Sequence, residues 1–314
     1  MMKKYFLPIL LVLISFLPLV SLLQPGMFDG HDSQSHVARL VAFYQSLQEG
    51  NLIPRWAGDL NMGFGHPVLM FLYPLSNYIG SIWHILGFSF TDSIKLTFAV
   101  SYILSGIFMY LFGSEIFNKK AGFFMSVLYL FAPYHLVDFY VRAALGEHIA
   151  FMTMPLVLWS FIKLIKSDNT LYIILSPLSL GLLILSHNAI SLMFLPFFFL
   201  FLIIAVKFLN HKSYVIRNVL ISLVLGFGLA AFFWIPAFVE GKYTLRDILT
   251  KDEYLTRFPS FIELIFSPWK FRSSGYLSTE VGWAQWLAVM SGLIFLVKNK
   301  KKDFNYWFIF ITES

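Results

Sequence analysis

The sequence predicts an all-α, polytopic integral membrane protein, on three observations. Hydrophobic residues make up 58% of the 314-residue chain and charged residues only 13%, which leaves too little polar surface for a soluble domain of this length. Apolar runs close to the ~20 residues that cross a hydrocarbon core recur along the whole sequence, and mean hydropathy is +0.72. The Lys residues gather at the ends of those runs rather than along a basic stripe. The net charge of +6 is therefore a topology signal, and no nucleic-acid partner is expected. The 36 Phe suit lipid-facing and helix–helix packing, and the absence of Cys excludes disulfides, iron–sulfur clusters and thiol catalysis in this chain.

Taken in order, the expected spans are 5–23, 95–114, 120–136, 148–166, 170–187, 189–208, 216–236 and 281–297, with a ninth beginning at Phe304. They form one membrane domain over 1–314. The first follows Lys3-Lys4 and has the outline of a signal peptide. Its apolar stretch is long for one, however, and Leu22-Leu23-Gln24 lacks a small-residue cleavage site, so it reads as an uncleaved span. The last apolar run, 306–311, implies that the protein continues beyond Ser314.

Segment 67–87 is apolar enough to span but is punctuated by Pro67, Pro74, Gly80 and Gly87. If it crosses, Lys119, Lys120 and the 298–302 cluster fall outside. If it dips in without crossing, these and Lys3/Lys4, Lys163/Lys166 and Lys207/Lys212/Arg217 all lie inside. The positive-inside rule selects the second arrangement. The expectation is a multi-pass cell-membrane protein with a cytoplasmic N-terminus. Its 24–94 outer loop carries amphipathic and re-entrant helices, and 24–94, 137–147 and 237–280 share the extracytoplasmic face. Trp56, Trp269, Trp283 and Trp286 are expected to anchor that interface.

Two polar segments can carry chemistry. From Ser33 to Gln48, Val37, Leu40, Tyr44 and Leu47 recur at helical spacing, giving a face expected to lie on the membrane surface. Asp32, His36 and Arg39 fall on a second face, about 110° away. A carboxylate, an imidazole and a guanidinium so placed can abstract a proton and hold an anion; equally, Asp32 can serve as an N-cap with His36 and Arg39 as a solvated side. The second segment runs from Asp138 to His148. Glu147 is placed at a helix N-terminus, where the dipole favours negative charge. Arg142 can bind a phosphate bidentately or pair with Asp138 or Glu147. Asp29 and Asp32 form a D-x-x-D pair able to bind a divalent cation with substrate phosphates; no other cofactor is called for. His31, His36 and His66 lack a zinc-ligand spacing, and Ser186-His187-Asn188 reads as a helix-end turn.

The order of motifs resembles a known family. Asp32…His36…Arg39 is followed by Gly50…Pro54-Arg55-Trp56, Gly63-Phe64-Gly65-His66-Pro67 and Phe71-Leu72-Tyr73-Pro74-Leu75. This is similar to the first outer loop of GT-C glycosyltransferases, which move a sugar from a polyprenyl phosphate to an acceptor at the outer face. Ala132-Pro133-Tyr134-His135, Tyr140-Val141-Arg142-Ala143…Glu147 and Leu185-Ser186-His187-Asn188 are closer to one branch, the bacterial and archaeal pyruvoyl-tetrahydropterin-synthase-related membrane proteins. The likeness covers most of 1–210. Nothing here matches the histidine-held zinc of the soluble pterin synthase. The resemblance implies a GT-C-like helical bundle, Asp32 as catalytic carboxylate, Glu147 as the second acidic position, and a polyprenyl-phosphate-linked sugar and membrane lipid as partners. His36, Arg39, Arg55 and Arg142 are the expected substrate-binding residues. A flippase for the same lipid class and a non-catalytic scaffold of envelope assembly are the readings from other functional classes.

Overall fold

A computed structural model describes residues 2–209, 212–244, 258–270 and 277–298, with side chains from Phe6 onward. The expected span from Phe304 and Lys300, Lys301 and Lys302 of the last Lys cluster lie outside the described residues. Those residues are helical apart from turns and one isolated antiparallel bridge between Ala57 and His66.

The first expected span is a helix, α1 (Met2–Ser15), continued by a 3-10 turn over Pro18–Leu23. Surface elements follow: α2 (Ser33–Gln48), α3 (Val68–Phe71) and α4 (Leu75–Ile85). At 1.5 Å per residue the 11 residues of α4 reach only ~16 Å, half a hydrocarbon core. Pro74 and the extended Leu72 separate α4 from α3. The apolar face of α2 packs in part on protein. Leu40 and Phe43 are buried in protein, and Leu40 packs on Gly80 of α4.

The bundle proper is α5 (Phe90–Ile116), α6 (Lys119–Leu130), α7 (Pro133–Val137), α8 (Leu145–Lys166), α9 (Thr170–Ser186), α10 (Asn188–Leu209), α11 (Ser213–Leu229) and α12 (Ala231–Glu240). Beyond it come α13 (Phe261–Ile265) and α14 (Trp283–Lys298). Among the described residues, three helices are long and apolar enough to cross a membrane: α5, α8 and α10. The expected spans 120–136 and 216–236 are each broken. The first bends by 46° where Pro133 starts α7, and the second by 63° at Ala230. If each bent pair is one span, the number of crossings rises to five.

Side-chain contacts fix the directions. Glu115 at the end of α5 pairs with Lys163 (3.3 Å) and Lys166 (2.5 Å) at the end of α8, so these two helices run parallel. Thr153 meets Ser186 (3.4 Å) and Ser160 meets Ser179 (2.9 Å), so α8 and α9 run antiparallel. Such interhelical hydroxyl bonds are worth ~1 kcal/mol or less each and act as register marks more than as glue. Close approach does the rest: a Cβ on Gly122 would lie 2.6 Å from the Ser114 nitrogen and 2.8 Å from the Tyr110 carbonyl, which presses α6 onto α5. α8 is central. Val157, Phe161 and Ile162 face Leu180, Leu183 and Phe198, whereas Ile149 joins Phe98, Tyr102, Leu130 and Phe139 in a second cluster. The first turn of α8, the end of α9, the start of α2 and the chain around Arg142 consequently meet at one end of the bundle.

Candidate functional site

The two polar segments of the sequence are joined backbone to backbone. The His31 amide donates to the Val141 carbonyl (2.9 Å) and the Asp32 amide to the Arg142 carbonyl (3.0 Å). The segment expected as a loop over 137–147 is a π-helical turn, Asp138–Arg142, closed by Ala143 in the left-handed conformation (φ 52°, ψ 40°). That turn redirects the chain into α8, and His36 holds it. His36 Nε2 lies 2.9 Å from the Ala143 carbonyl, to which a neutral ring donates, and 3.3 Å from the Leu145 amide.

His36, expected among the substrate-binding residues, is 5% exposed and clamps this turn. Helical spacing separates faces but cannot say which one a later segment covers. Burial, and next the Arg39 charge, lower its pKa to about 4; Asp32 and the Ala143 carbonyl oppose the shift. Protonation thus favours the unfolded chain. His36 should draw down stability as pH falls from ~6.5 through about 4, by about 3 kcal/mol at most. The His36→Gln variant should lose that part of the acid dependence while being less stable at neutral pH. Thermal unfolding of both proteins across this range is the measurement, and parallel pH curves would refute the clamp.

Beside the clamp stands a half-buried ion pair. Arg142 Nη2 is 2.6 Å from Glu147 Oε1. Tyr134 donates to Glu147 Oε2 (2.8 Å) and accepts from Arg142 Nη1. Of the two partners foreseen for Arg142, Glu147 is the one engaged. Glu147 lies in the first turn of α8, where the helix dipole adds to its stabilisation. His187 closes the group from the α9–α10 turn. Its Nδ1 accepts from the Ile190 amide (3.2 Å), which leaves Nε2 as the protonated nitrogen, 3.9 Å from Glu147 Oε1. Tyr73 lies on the His187 ring, centroids 4.5 Å apart, and directly over Gly146. A Cβ on Gly146 would fall within van der Waals overlap of the Tyr73 ring, so no larger residue fits there.

The other expected site residues are placed as follows. Asp32 occupies the N-cap position of α2, yet its carboxylate makes no capping bond and has no ion pair among the described residues. Arg39 is half-buried and likewise unpaired among them. Both act on the Tyr73 phenol, as does Glu147; burial above all raises that phenol's pKa. Asp32, Arg39 and Glu147 thus all act on Tyr73, and Glu147 in turn holds Arg142. Arg55 is not with them: it is exposed and donates to the Phe232 carbonyl of α12 (3.4 Å). Asp29 is exposed, and among the described residues no three His, Asp or Glu side chains could share a metal ion.

Sequence reasoning missed Tyr73 and Tyr134 and discounted His187. Tyrosines carry no charge to single them out. The signal available was their position in Phe71-Leu72-Tyr73-Pro74 and Pro133-Tyr134-His135, both inside motifs of the resemblance.

Comparison with known sequences agrees with the helical architecture. The 6-pyruvoyl-tetrahydropterin synthase related domain, described as a membrane protein, matches residues 69–313. This extends well past residue 210, the end of the likeness read from the motifs. It takes in Tyr73, Tyr134, Arg142, Glu147 and His187 and leaves Asp32, His36, Arg39 and Arg55 before its start. An uncharacterized protein of Lactococcus lactis subsp. cremoris (strain MG1363) is 24% identical over 252 residues, which are 78% of this chain and 41% of that relative. The chain thus spans under half the length of the curated relative it matches. With more than half of its residues matched, the chain belongs to the 6-pyruvoyl-tetrahydropterin synthase related family of membrane proteins.

Proposed function

We propose that this chain is the membrane domain of a glycosyltransferase-like protein of GT-C type, moving a sugar from a polyprenyl phosphate to an acceptor hydroxyl. The observation that supports the reading is the backbone seam between 31–32 and 141–142, which ties Asp32, whose carboxylate makes no capping bond, to Arg142 of the Arg142–Glu147 pair. In this reading Asp32 accepts the proton of the acceptor hydroxyl. The acceptor oxygen bonds to the anomeric carbon as the bond from that carbon to the phosphate oxygen breaks. The electron pair leaves with polyprenyl phosphate, and the proton on Asp32 passes to solvent. Arg39 supplies the uncommitted cation for the departing phosphate. Arg142, already held by Glu147 and Tyr134, adds a fixed positive field rather than a free fork. Incubation of the purified protein in nanodiscs with polyprenyl-phosphate sugars should release polyprenyl phosphate. Absence of sugar transfer with every donor, while donor still binds, would remove the enzymatic reading.

A second reading, transport of a lipid-linked substrate, is favoured by the two broken helix pairs, bent by 46° and 63°. Backbone breaks at membrane depth are the usual place for a transporter's site. Movement of labelled lipid between leaflets without sugar transfer would select it.

The site is proposed to face outward, because the helix directions place Lys119, Lys120, Lys163 and Lys166 at the opposite end. In the Cys-free chain, a cysteine replacing the exposed Met62 should react with an impermeant thiol reagent on intact cells, and one replacing the exposed Lys119 should not. The reverse pattern would turn the site to the cytoplasm.

A further inference from the structure

Beneath the ion pair, away from solvent, lies a cluster that the proposed chemistry does not use. Asp138 and His148 have no exposed side-chain surface, and His148 Nδ1 is 3.5 Å from Asp138 Oδ2. Neither carboxylate oxygen of Asp138 nor either ring nitrogen of His148 has a hydrogen-bond partner among the described residues. The walls are aromatic: Tyr102 and Phe139 stack on the His148 ring, and Phe98 tilts against it. His135 stands 5.0 Å away, centroid to centroid. Its Nδ1 donates to the Tyr129 carbonyl, and its Nε2 is unpartnered.

The hydroxyls nearby are already committed. Tyr102 donates to the Leu130 carbonyl (2.7 Å) and Tyr129 to the Phe151 carbonyl (2.8 Å). An ionised Asp138 beside a neutral His148 would leave a net charge in an apolar pocket with nothing to solvate it. A single added proton, on the carboxyl or on the ring, makes the pair neutral. The charged groups acting on Asp138 are Glu147, Arg142 and Asp32. Arg142 lies four residues along the same turn and already balances Glu147. Loss of the shared proton would therefore place a second carboxylate charge within the field of Arg142.

We propose that Asp138 and His148 form a buried proton-binding site that holds one proton in common, and that this proton sets how strongly the Arg142–Glu147 pair attracts an anion. The first half stands on the geometry alone; the coupling rests on the phosphate-binding reading above. With the proton in place, the Asp138–His148 pair is neutral and Arg142 faces the Glu147 charge alone. Without it, two carboxylates compete for its field and an incoming phosphate is held less well. Anion affinity should consequently be highest on the acid side and fall as pH rises through the titration of the pair.

The test uses the whole protein in nanodiscs. At neutral pH its infrared spectrum should contain a protonated carboxylic-acid band that is lost in Asp138→Asn and kept in Asp32→Asn, or else nitrogen-15 NMR should show a His148 imidazolium. Either finding places the single proton. An ionised Asp138 together with a neutral His148 overturns the site, and the NMR measurement on the unsubstituted protein needs no variant to fold. For the coupling, the probe is a short isoprenyl monophosphate. Its affinity for the unsubstituted protein should drop several-fold across the pH at which the proton is lost. Asp138→Asn, the neutral isostere, should keep the higher affinity at alkaline pH, and because the probe's own ionisation is common to both proteins, their difference is the readout. Parallel pH profiles overturn the coupling. Failure of the unsubstituted protein to bind the probe at any pH would sink the proposed function and the coupling with it, while the spectroscopic result still decides the proton site.

Discussion

Replacing Asp32 by Asn should reduce sugar-transfer turnover by ~10²–10⁴-fold, the range expected when a positioned general base is lost, while leaving the fold intact. The expectation of an intact fold comes from the cap geometry. Residues of this type at an N-cap usually contribute ~1 kcal/mol through a side-chain bond to the first turn. Asp32 makes no such bond; its amide, not its carboxylate, is what ties it to Arg142. Asp32→Ala should therefore melt within about 0.5 kcal/mol of Asp32→Asn, and the two should be equally inactive. Asp29→Asn, at an exposed position three residues earlier, should lose little. Full turnover in Asp32→Asn would remove the centre of the enzymatic reading.

What the sequence disclosed, and what it did not, divides along physical lines. Hydropathy revealed α5, α8 and α10, because runs long enough to cross a membrane must be apolar whatever their neighbours. It did not reveal the bends at Pro133 and Ala230, since a broken pair is as apolar as a straight helix. Pro133 was a visible signal, whereas Ala230 carries none. Charge singled out Asp32, Arg39, Arg142 and Glu147, for buried or half-buried charges near apolar helices are costly and few. Whether Arg142 would choose Asp138 or Glu147 was open in the sequence. The π-helical turn decides it: one extra residue per turn carries Asp138 inward, against His148, and leaves Arg142 to reach Glu147. His36 and Arg55 have partners that the sequence did not suggest, for a common reason. Each meets a backbone carbonyl more than a hundred residues away, Ala143 and Phe232 respectively, and no local periodicity encodes such a contact.

The same packing suggests why polar residues at this end of the bundle are interdependent. Tyr73 comes from the segment before α4, Tyr134 from α7, Arg142 from the π turn, Glu147 from α8 and His187 from the α9–α10 turn. Five chain segments are thus held around one carboxylate. A change at any of them moves the others, since Glu147 has both oxygens engaged and Gly146 leaves no slack beneath Tyr73.

Removal of that carboxylate should accordingly have the largest effect on stability. Glu147→Ala leaves Arg142 unpaired at a site where its side chain is 27% exposed, and breaking a buried pair from one side costs about 3–5 kcal/mol. The lower end is expected, because the guanidinium can still turn toward water. Glu147→Gln keeps one acceptor oxygen, enough for Arg142, and turns its amide NH2 toward the Tyr134 hydroxyl; it should cost about 1–3 kcal/mol, the loss of charge assistance and of the Tyr134 bond. Removing both partners, in Glu147→Ala combined with Arg142→Met, should recover stability relative to Glu147→Ala alone, with an interaction energy of about 1–3 kcal/mol in a double-mutant cycle. Turnover separates the roles that remain. If Glu147 acts by holding Arg142, the two single variants and the double variant should lose turnover to a similar degree, because one function has been removed once. If Glu147 transfers a proton itself, Glu147→Gln should be nearly inactive even though Arg142 is still held, and Arg142→Met should retain much more turnover. With both Glu147 oxygens occupied by Arg142 and Tyr134, the first pattern is the expected one, measured by thermal unfolding and sugar transfer on the unsubstituted protein and these four variants.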